Sequence, residues 1–169
     1  MTRFPLRRLR LRAGEEHRDT VAIELEPFEL GGLRYLPVPQ EVEAELTVAQ
    51  ATTGLDLRLA LAVRLHGPCM RCLADAHVDV EIDAREYHAA EPGEAEELRS
   101  EYVVEDQLEL SAWARDAIAL ALPDQILHDP ACAGLCPVCG KDLNVEPHTH
   151  DEEASDPRWS ALEGLRDRL

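Results

Sequence analysis

The chain is expected to be an α+β protein: a mainly antiparallel β-sheet or partial barrel with one packed helix, two cysteine turns and a short C-terminal helix. Three features of the sequence support this. Between residues 42 and 84, apolar and polar residues alternate with period two in three successive stretches. Residues 110–121 change to helical spacing. The composition is 45% hydrophobic but only 4% aromatic, so a core must come from the Leu, Val, Ile and Ala that such strands supply. At 169 residues the chain is long enough to bury one sizeable core.

The strands can be placed in order. Residues 21–25, VAIEL, suit a first strand. In VEAELTV, Val42, Ala44, Leu46 and Val48 share one face, with Glu43, Glu45 and Thr47 on the other. LDLRLALAVRL follows, placing Leu55, Leu57, Leu59, Leu61, Val63 and Leu65 opposite Asp56, Arg58 and Arg64. The AQATTG between them reads as a hairpin loop. HVDVEIDA, residues 77–84, alternates again through Val78, Val80 and Ile82. Alternation of this kind marks an antiparallel sheet with one wet face, because a parallel sheet would show continuous apolar runs.

Residues 89–101 lose the periodicity and become a glutamate-rich acidic loop. In the helical stretch that follows, Leu110, Trp113, Ala114, Ala117, Ile118 and Ala121 form the packing face, Ser111 is the expected cap and Pro123 the stop. Trp113 belongs to the core on this reading. The body runs over residues 1–144, a linker over 145–155, and an amphipathic helix over 156–169, with Asp156 as cap, Pro157 at the first turn and Trp159, Leu162 and Leu165 as its stripe.

Five cysteines, Cys69, Cys72, Cys132, Cys136 and Cys139, are an odd number. The chain opens without an apolar signal core and has no run of roughly 18 apolar residues. A cytoplasmic location is therefore expected, with reduced thiols and no disulfide framework. Two CxxC pairs, Cys69-Met-Arg-Cys72 and Cys136-Pro-Val-Cys139, supply four thiolates, the number that a tetrahedral structural zinc takes. Pro137 and Gly140 suit a tight turn around the second pair. The expectation is one two-knuckle, four-cysteine zinc site; Cys132 is read as a bystander thiol ahead of the alternative that it replaces one of the four, and His128 as a surface or packing residue ahead of a ligand. His148 and His150 sit in the acidic linker, where solvated histidines are ordinary. A thioredoxin-like dithiol needs a CxxC opening a helix within a βαβ pattern, and neither pair has that setting. A catalytic zinc needs an open position, which four thiolates would close.

The formal net charge is −17, a balance that repels bare nucleic acid. Residues 1–12 run the other way, with Arg3, Arg7, Arg8, Arg10 and Arg12 and no acid. Arg7, Arg8, Arg10 and Arg12 are the candidate phosphate contacts, the plainer reading being an arginine-decorated edge strand. No carboxylate pair, Ser-His pair or phosphate-cradling glycine run marks a catalytic pocket, and no small-molecule substrate is implied.

CMRCL at 69–73, LALP at 120–123, GLCPVCGKDLN at 134–144 and DPRW at 156–159 occur in an order that resembles the YceD family, the large ribosomal RNA subunit accumulation proteins. The resemblance spans roughly residues 40–169, and GLCPVCGKDLN is its most specific part. It implies a small β-rich domain with a helix, a non-enzymatic role, and support of 23S ribosomal RNA accumulation, with precursor large-subunit RNA, a ribosomal protein, or both as partners. Many relatives carry a cysteine where this chain has His128 and some lack the cysteines, which implies a metal that stabilises rather than acts. The alternative is a zinc-stabilised protein-interaction module without RNA contact; a thiol oxidoreductase is a more distant third.

Overall fold

The structure, a computed structural model, describes residues 1–91 and 98–150. In chain order it has β1 (Arg3–Pro5), a 3-10 turn (Leu6–Arg8), β2 (Glu16–Glu24), β3 (Phe28–Leu30), β4 (Leu33–Val38), β5 (Glu41–Gln50), β6 (Gly54–Pro68), β7 (Asp75–Ala89), β8 (Val103–Val104), β9 (Gln107–Glu109) and α1 (Leu110–Ala121). Every strand pairing among them is antiparallel. The expected α+β class is what the chain adopts.

The centre is the β6–β7 hairpin, two strands of 15 residues paired from Gly54↔Ala89 to Pro68↔Asp75. β7 occupies one edge of β6 along its whole length. The other edge is shared, with β5 along Leu55–Leu61 and β4 along Arg64–His66. β2 pairs with β5 and β3 with β4, which completes the six-stranded sheet, while β1, β9 and β8 form a small second sheet.

The alternation read from the sequence is the pleat itself. Leu57, Leu59, Leu61, Val63 and Leu65 of β6 are buried beside Val42, Ala44, Leu46 and Val48 of β5 and Ile23 of β2. The other face of the hairpin is wet and laced by charge pairs. Arg64 forks onto Asp79 directly opposite, at 2.7 and 2.8 Å, and Arg58 reaches diagonally to Asp83 at 2.6 and 2.7 Å. Such exposed pairs fix register more than they stabilise. α1 packs against β7, β2 and β1 and buries Leu110, Trp113, Ala114 and Ile118. Trp113 is core, as expected, with Tyr102 stacked on it at 6.2 Å.

Two local expectations need amendment. Ser111 does not cap α1. Glu109 holds the cap position, and Ser111, inside the first turn, accepts a hydrogen bond from the Thr2 amide at 2.8 Å and donates to the Glu24 carbonyl at 3.0 Å. The last strand of the main sheet runs well past residues 77–84, to Asp75–Ala89, taking the start of the expected acidic loop with it. The arginine-rich start takes its plainer reading, an edge strand of the small sheet. Arg3–Pro5 pairs with β9, Leu6 is buried, Arg3 binds Glu109 at 2.8 Å and Arg7 binds Asp106. The helix expected at 156–169 and the linker beyond residue 150 lie outside the described residues.

Gly67 shows how tightly the far end of the hairpin is built. A Cβ there would come within 2.5 Å of the Tyr35 ring and 2.8 Å of the Arg34 carbonyl. The fully buried Tyr35 then donates its hydroxyl to the Pro68 carbonyl at 2.8 Å, one residue before Cys69.

Leu59 is fully buried and Arg58, its neighbour, is exposed. Leu59→Ala is therefore expected to lower stability by about 2–5 kcal/mol in urea unfolding, with a far smaller loss for Arg58→Ala. Equal losses would mean that the pleat is misassigned.

Candidate metal centre

The β6–β7 hairpin turns through residues 69–74. Cys69 donates its amide to the Ala74 carbonyl at 2.7 Å and accepts from the Leu73 amide at 3.0 Å, with Leu73 in the left-handed region at φ 64°. The segment after α1 is drawn onto this turn. Met70 donates its amide to the carbonyl of the buried Ile126 at 2.9 Å, Leu135 donates to the Arg71 carbonyl at 3.1 Å, and the Arg71 guanidinium donates to the Cys132 carbonyl at 3.0 Å. These bonds put four donor groups in one place: Cys69, Cys72, His128 and Cys132 have their ligand atoms all within 4.8 Å of one another, and the three cysteines are buried.

The distances allow a test of fit. A tetrahedral ion with Zn–S near 2.3 Å places its sulfurs about 3.8 Å apart. The Cys69 and Cys132 sulfurs are 3.8 Å apart. His128 Nδ1 lies 3.2 Å from the Cys72 sulfur, a few tenths inside the roughly 3.6 Å of an S–N edge. Three sulfurs and one imidazole are a recognised structural zinc set, so the residues fit a zinc-like ion.

The electrostatics suit a cation as well. Burial pushes the Cys69 thiol up, but hydrogen bonds from His128 and from the backbone of Cys72, Arg71 and His128 outweigh it and hold Cys69 at about 5. For Cys72 the Ala74 backbone pulls down, while burial and the sulfurs of Cys132 and Cys69 push the thiol up to about 11. The first thiolate thus opposes formation of a second beside it, a conflict that a bound divalent cation removes. The Arg71 amide, 3.5 Å from the Cys69 sulfur, and the Asn144 side chain, 3.5 Å from that of Cys132, form an outer shell of N–H donors.

Cys136 and Cys139 are placed elsewhere. They form a separate group with His148 and His150, again with ligand atoms within 4.8 Å. The two CxxC pairs expected to share one ion are thus not brought together. Each is completed by residues outside the favoured ligand set: His128 and Cys132, the latter already an alternative ligand, in one case and His148 and His150 in the other. The overlooked signals are spacings: His128-x3-Cys132 ahead of the second CxxC, and His148-x-His150 behind it.

Residues 57–166 match the family described as large ribosomal RNA subunit accumulation protein YceD. The chain belongs to this family. Among its relatives are proteins of Mycobacterium bovis and Mycobacterium tuberculosis, each 31% identical over 137 residues, covering 78% of this chain and 66% of the relative. A Mycobacterium leprae protein is 34% identical over 100 residues, covering 56% of this chain and 45% of the relative. All three are described only as uncharacterized proteins. The chain spans 66% of the length of the first two. No solved structure matches.

Cys139 is exposed, whereas Cys69, Cys72, Cys132 and Cys136 are buried. In the reduced protein with no chelator added, iodoacetamide is expected to label Cys139 first, read by peptide mass spectrometry. Early labelling of Cys69 or Cys132 would contradict the first group's geometry.

Proposed function

We propose that this chain is a non-enzymatic cytoplasmic factor that supports accumulation of 23S ribosomal RNA, with a structural zinc at Cys69, Cys72, His128 and Cys132. The observation that carries the reading is the family match, which covers most of β6, all of β7 and α1, and both cysteine turns. Four protein donors fill a tetrahedral ion and leave no position for a substrate or an activated water, which supports a structural role for the metal. No helix among the described residues is long and apolar enough to cross a membrane.

The proposed partners are precursor large-subunit RNA, a basic ribosomal protein, or both. For RNA the candidates narrow within the arginine-rich start. Arg7 is occupied by Asp106, whereas Arg8, Arg10 and Arg12 are exposed and make no ion pair among the described residues. Because Leu6 is buried and Arg3–Pro5 is paired in the small sheet, these cations project from an ordered base and lose little freedom on meeting phosphates. For a basic protein, Glu81 and Glu86, on either side of the β7 edge, line a groove with Arg85, Trp113, Ala117 and the exposed Leu120, where Asp83 is already paired with Arg58.

Affinity purification of the tagged protein from its own cells, with and without nuclease, tests the reading. Precursor large-subunit RNA or large-subunit ribosomal proteins are expected to be enriched. Recovery of an unrelated, nuclease-resistant, salt-insensitive partner alone would favour the protein-interaction alternative. If RNA is bound directly, replacing Arg8, Arg10 and Arg12 by Ser should flatten the log–log salt dependence of binding by about 2–3. An unchanged slope would remove the arginines from the interface.

A further inference from the structure

We propose that Cys136, Cys139, His148 and His150 form a second metal site, independent of the first, which takes a zinc-like thiophilic divalent cation and fastens residues 145–150 back onto the preceding turn. This goes beyond the proposed function and does not depend on it.

The chain builds the same ligand turn twice. Cys136 donates its amide to the carbonyl five residues on, Lys141, at 2.8 Å, as Cys69 does to Ala74 at 2.7 Å. Its carbonyl accepts from the amide four residues on, Gly140, at 2.8 Å, as that of Cys69 accepts from Leu73 at 3.0 Å. In both turns that fourth residue is left-handed, Gly140 at φ 72° and Leu73 at φ 64°. In the first turn this geometry delivers two sulfurs to a four-donor cluster. The second has the same backbone and therefore aims Cys136 and Cys139 at one point.

The surroundings of His148 point the same way. Its Nδ1 lies 2.7 Å from the Glu146 carbonyl, an acceptor, so Nδ1 carries the proton and Nε2 is left with a free lone pair. That Nε2 faces the Cys139 sulfur at 3.1 Å. Glu146 is itself held, its amide on the Asp142 carbonyl at 3.0 Å and its carboxylate on Lys141 at 2.9 and 3.0 Å. A histidine oriented through its other nitrogen by a fixed carbonyl is the usual outer shell of a metal ligand. His150 completes the set, its ring edge-on to that of His148 at 4.9 Å and 88°, as two imidazoles of one tetrahedral centre diverge.

A thiol–imidazole hydrogen bond alone would account for Cys139 and His148, but not for the convergence of all four groups. Burial does not hold them together either, since Cys139 and His150 are exposed. Two sulfurs and two imidazoles select zinc-like cations over calcium or magnesium, which take oxygen ligands. On binding, each coordinating thiol releases its proton to solvent and the imidazoles bind neutral. Being open to water, this site should exchange its ion before the buried one does.

The test is zinc stoichiometry of the full-length reduced protein, by native mass spectrometry and elemental analysis after removal of loosely held metal. Two ions per chain are expected. His148→Ala/His150→Ala should hold one, with an unchanged far-ultraviolet circular dichroism spectrum, because neither ring supports the core. A second variant, His128→Asn/Cys132→Ser, should also hold one, and the ion it keeps should be the more quickly removed by a chromophoric chelator. The proposal is overturned if the wild-type chain holds one ion or none, or if the His148/His150 variant still holds two. A single ion lost on changing either CxxC pair would restore one shared four-cysteine site.

Discussion

The structure depends on the register of the β6–β7 hairpin. Its fifteen consecutive pairs run from Gly54↔Ala89 to Pro68↔Asp75, and a slip of one residue would turn Leu57, Leu59, Leu61, Val63 and Leu65 into water. The apolar face therefore fixes where the strands end. The turn that closes them must begin at Cys69, just after Tyr35 packs on Gly67 and anchors Pro68. The same face receives α1, whose apolar stripe sets where the chain emerges near Ile126. A core of ordinary aliphatic packing thus brings the hairpin tip and the segment after the helix to the same spot, and the Met70–Ile126 and Leu135–Arg71 backbone bonds hold them there.

The thiols that meet at that spot do not all ionise together without a cation. Cys69, Cys72 and Cys132 are buried, and charge on one raises the cost of charge on the next. The helix and hairpin bury enough apolar surface to bring these groups together, and a bound ion would then convert their mutual repulsion into attraction. Charge elsewhere is divided more simply. The body carries the acidic excess, its wet sheet face tied by Arg58–Asp83 and Arg64–Asp79, while Arg8, Arg10 and Arg12 stand exposed on a short anchored segment. That separation gives one small protein two regions of opposite field.

Much of this was legible in the sequence where one physical rule acts alone. Strict alternation across 42–48, 55–65 and 77–84 fixed three strands and their wet face, and helical spacing with Pro123 fixed α1. The β3–β4 hairpin was missed although Gly31-Gly32 separates FEL from LRYLPV, because the first strand has only three residues and Pro37 interrupts the second. The β8–β9 turn was harder still: Glu105 and Asp106 both adopt positive φ, at 51° and 59°, without the Asn-Gly or Asp-Gly that announces such a turn. At the candidate metal centre, spacing marked the two CxxC pairs as ligand-like but neither the histidines that join them nor their division into two groups. The two CxxC pairs look like partners because they are alike. Cys132 and Cys136 lie only four residues apart yet belong to different groups, and the position of Ile126 against the hairpin tip decides that division. No local pattern encodes that long-range contact.

An aliphatic sheet that stands by itself, with the proposed metal fastening the cysteine-bearing segments onto its tip, has a direct signature in hydrogen exchange. The zinc-loaded protein would be compared before and after chelation. Amides of residues 69–74 and 128–144 are predicted to lose protection on chelation while the paired amides of β5, β6 and β7 keep theirs. Uniform loss across the sheet, in one cooperative transition, would contradict this division and make the metal a condition of the fold.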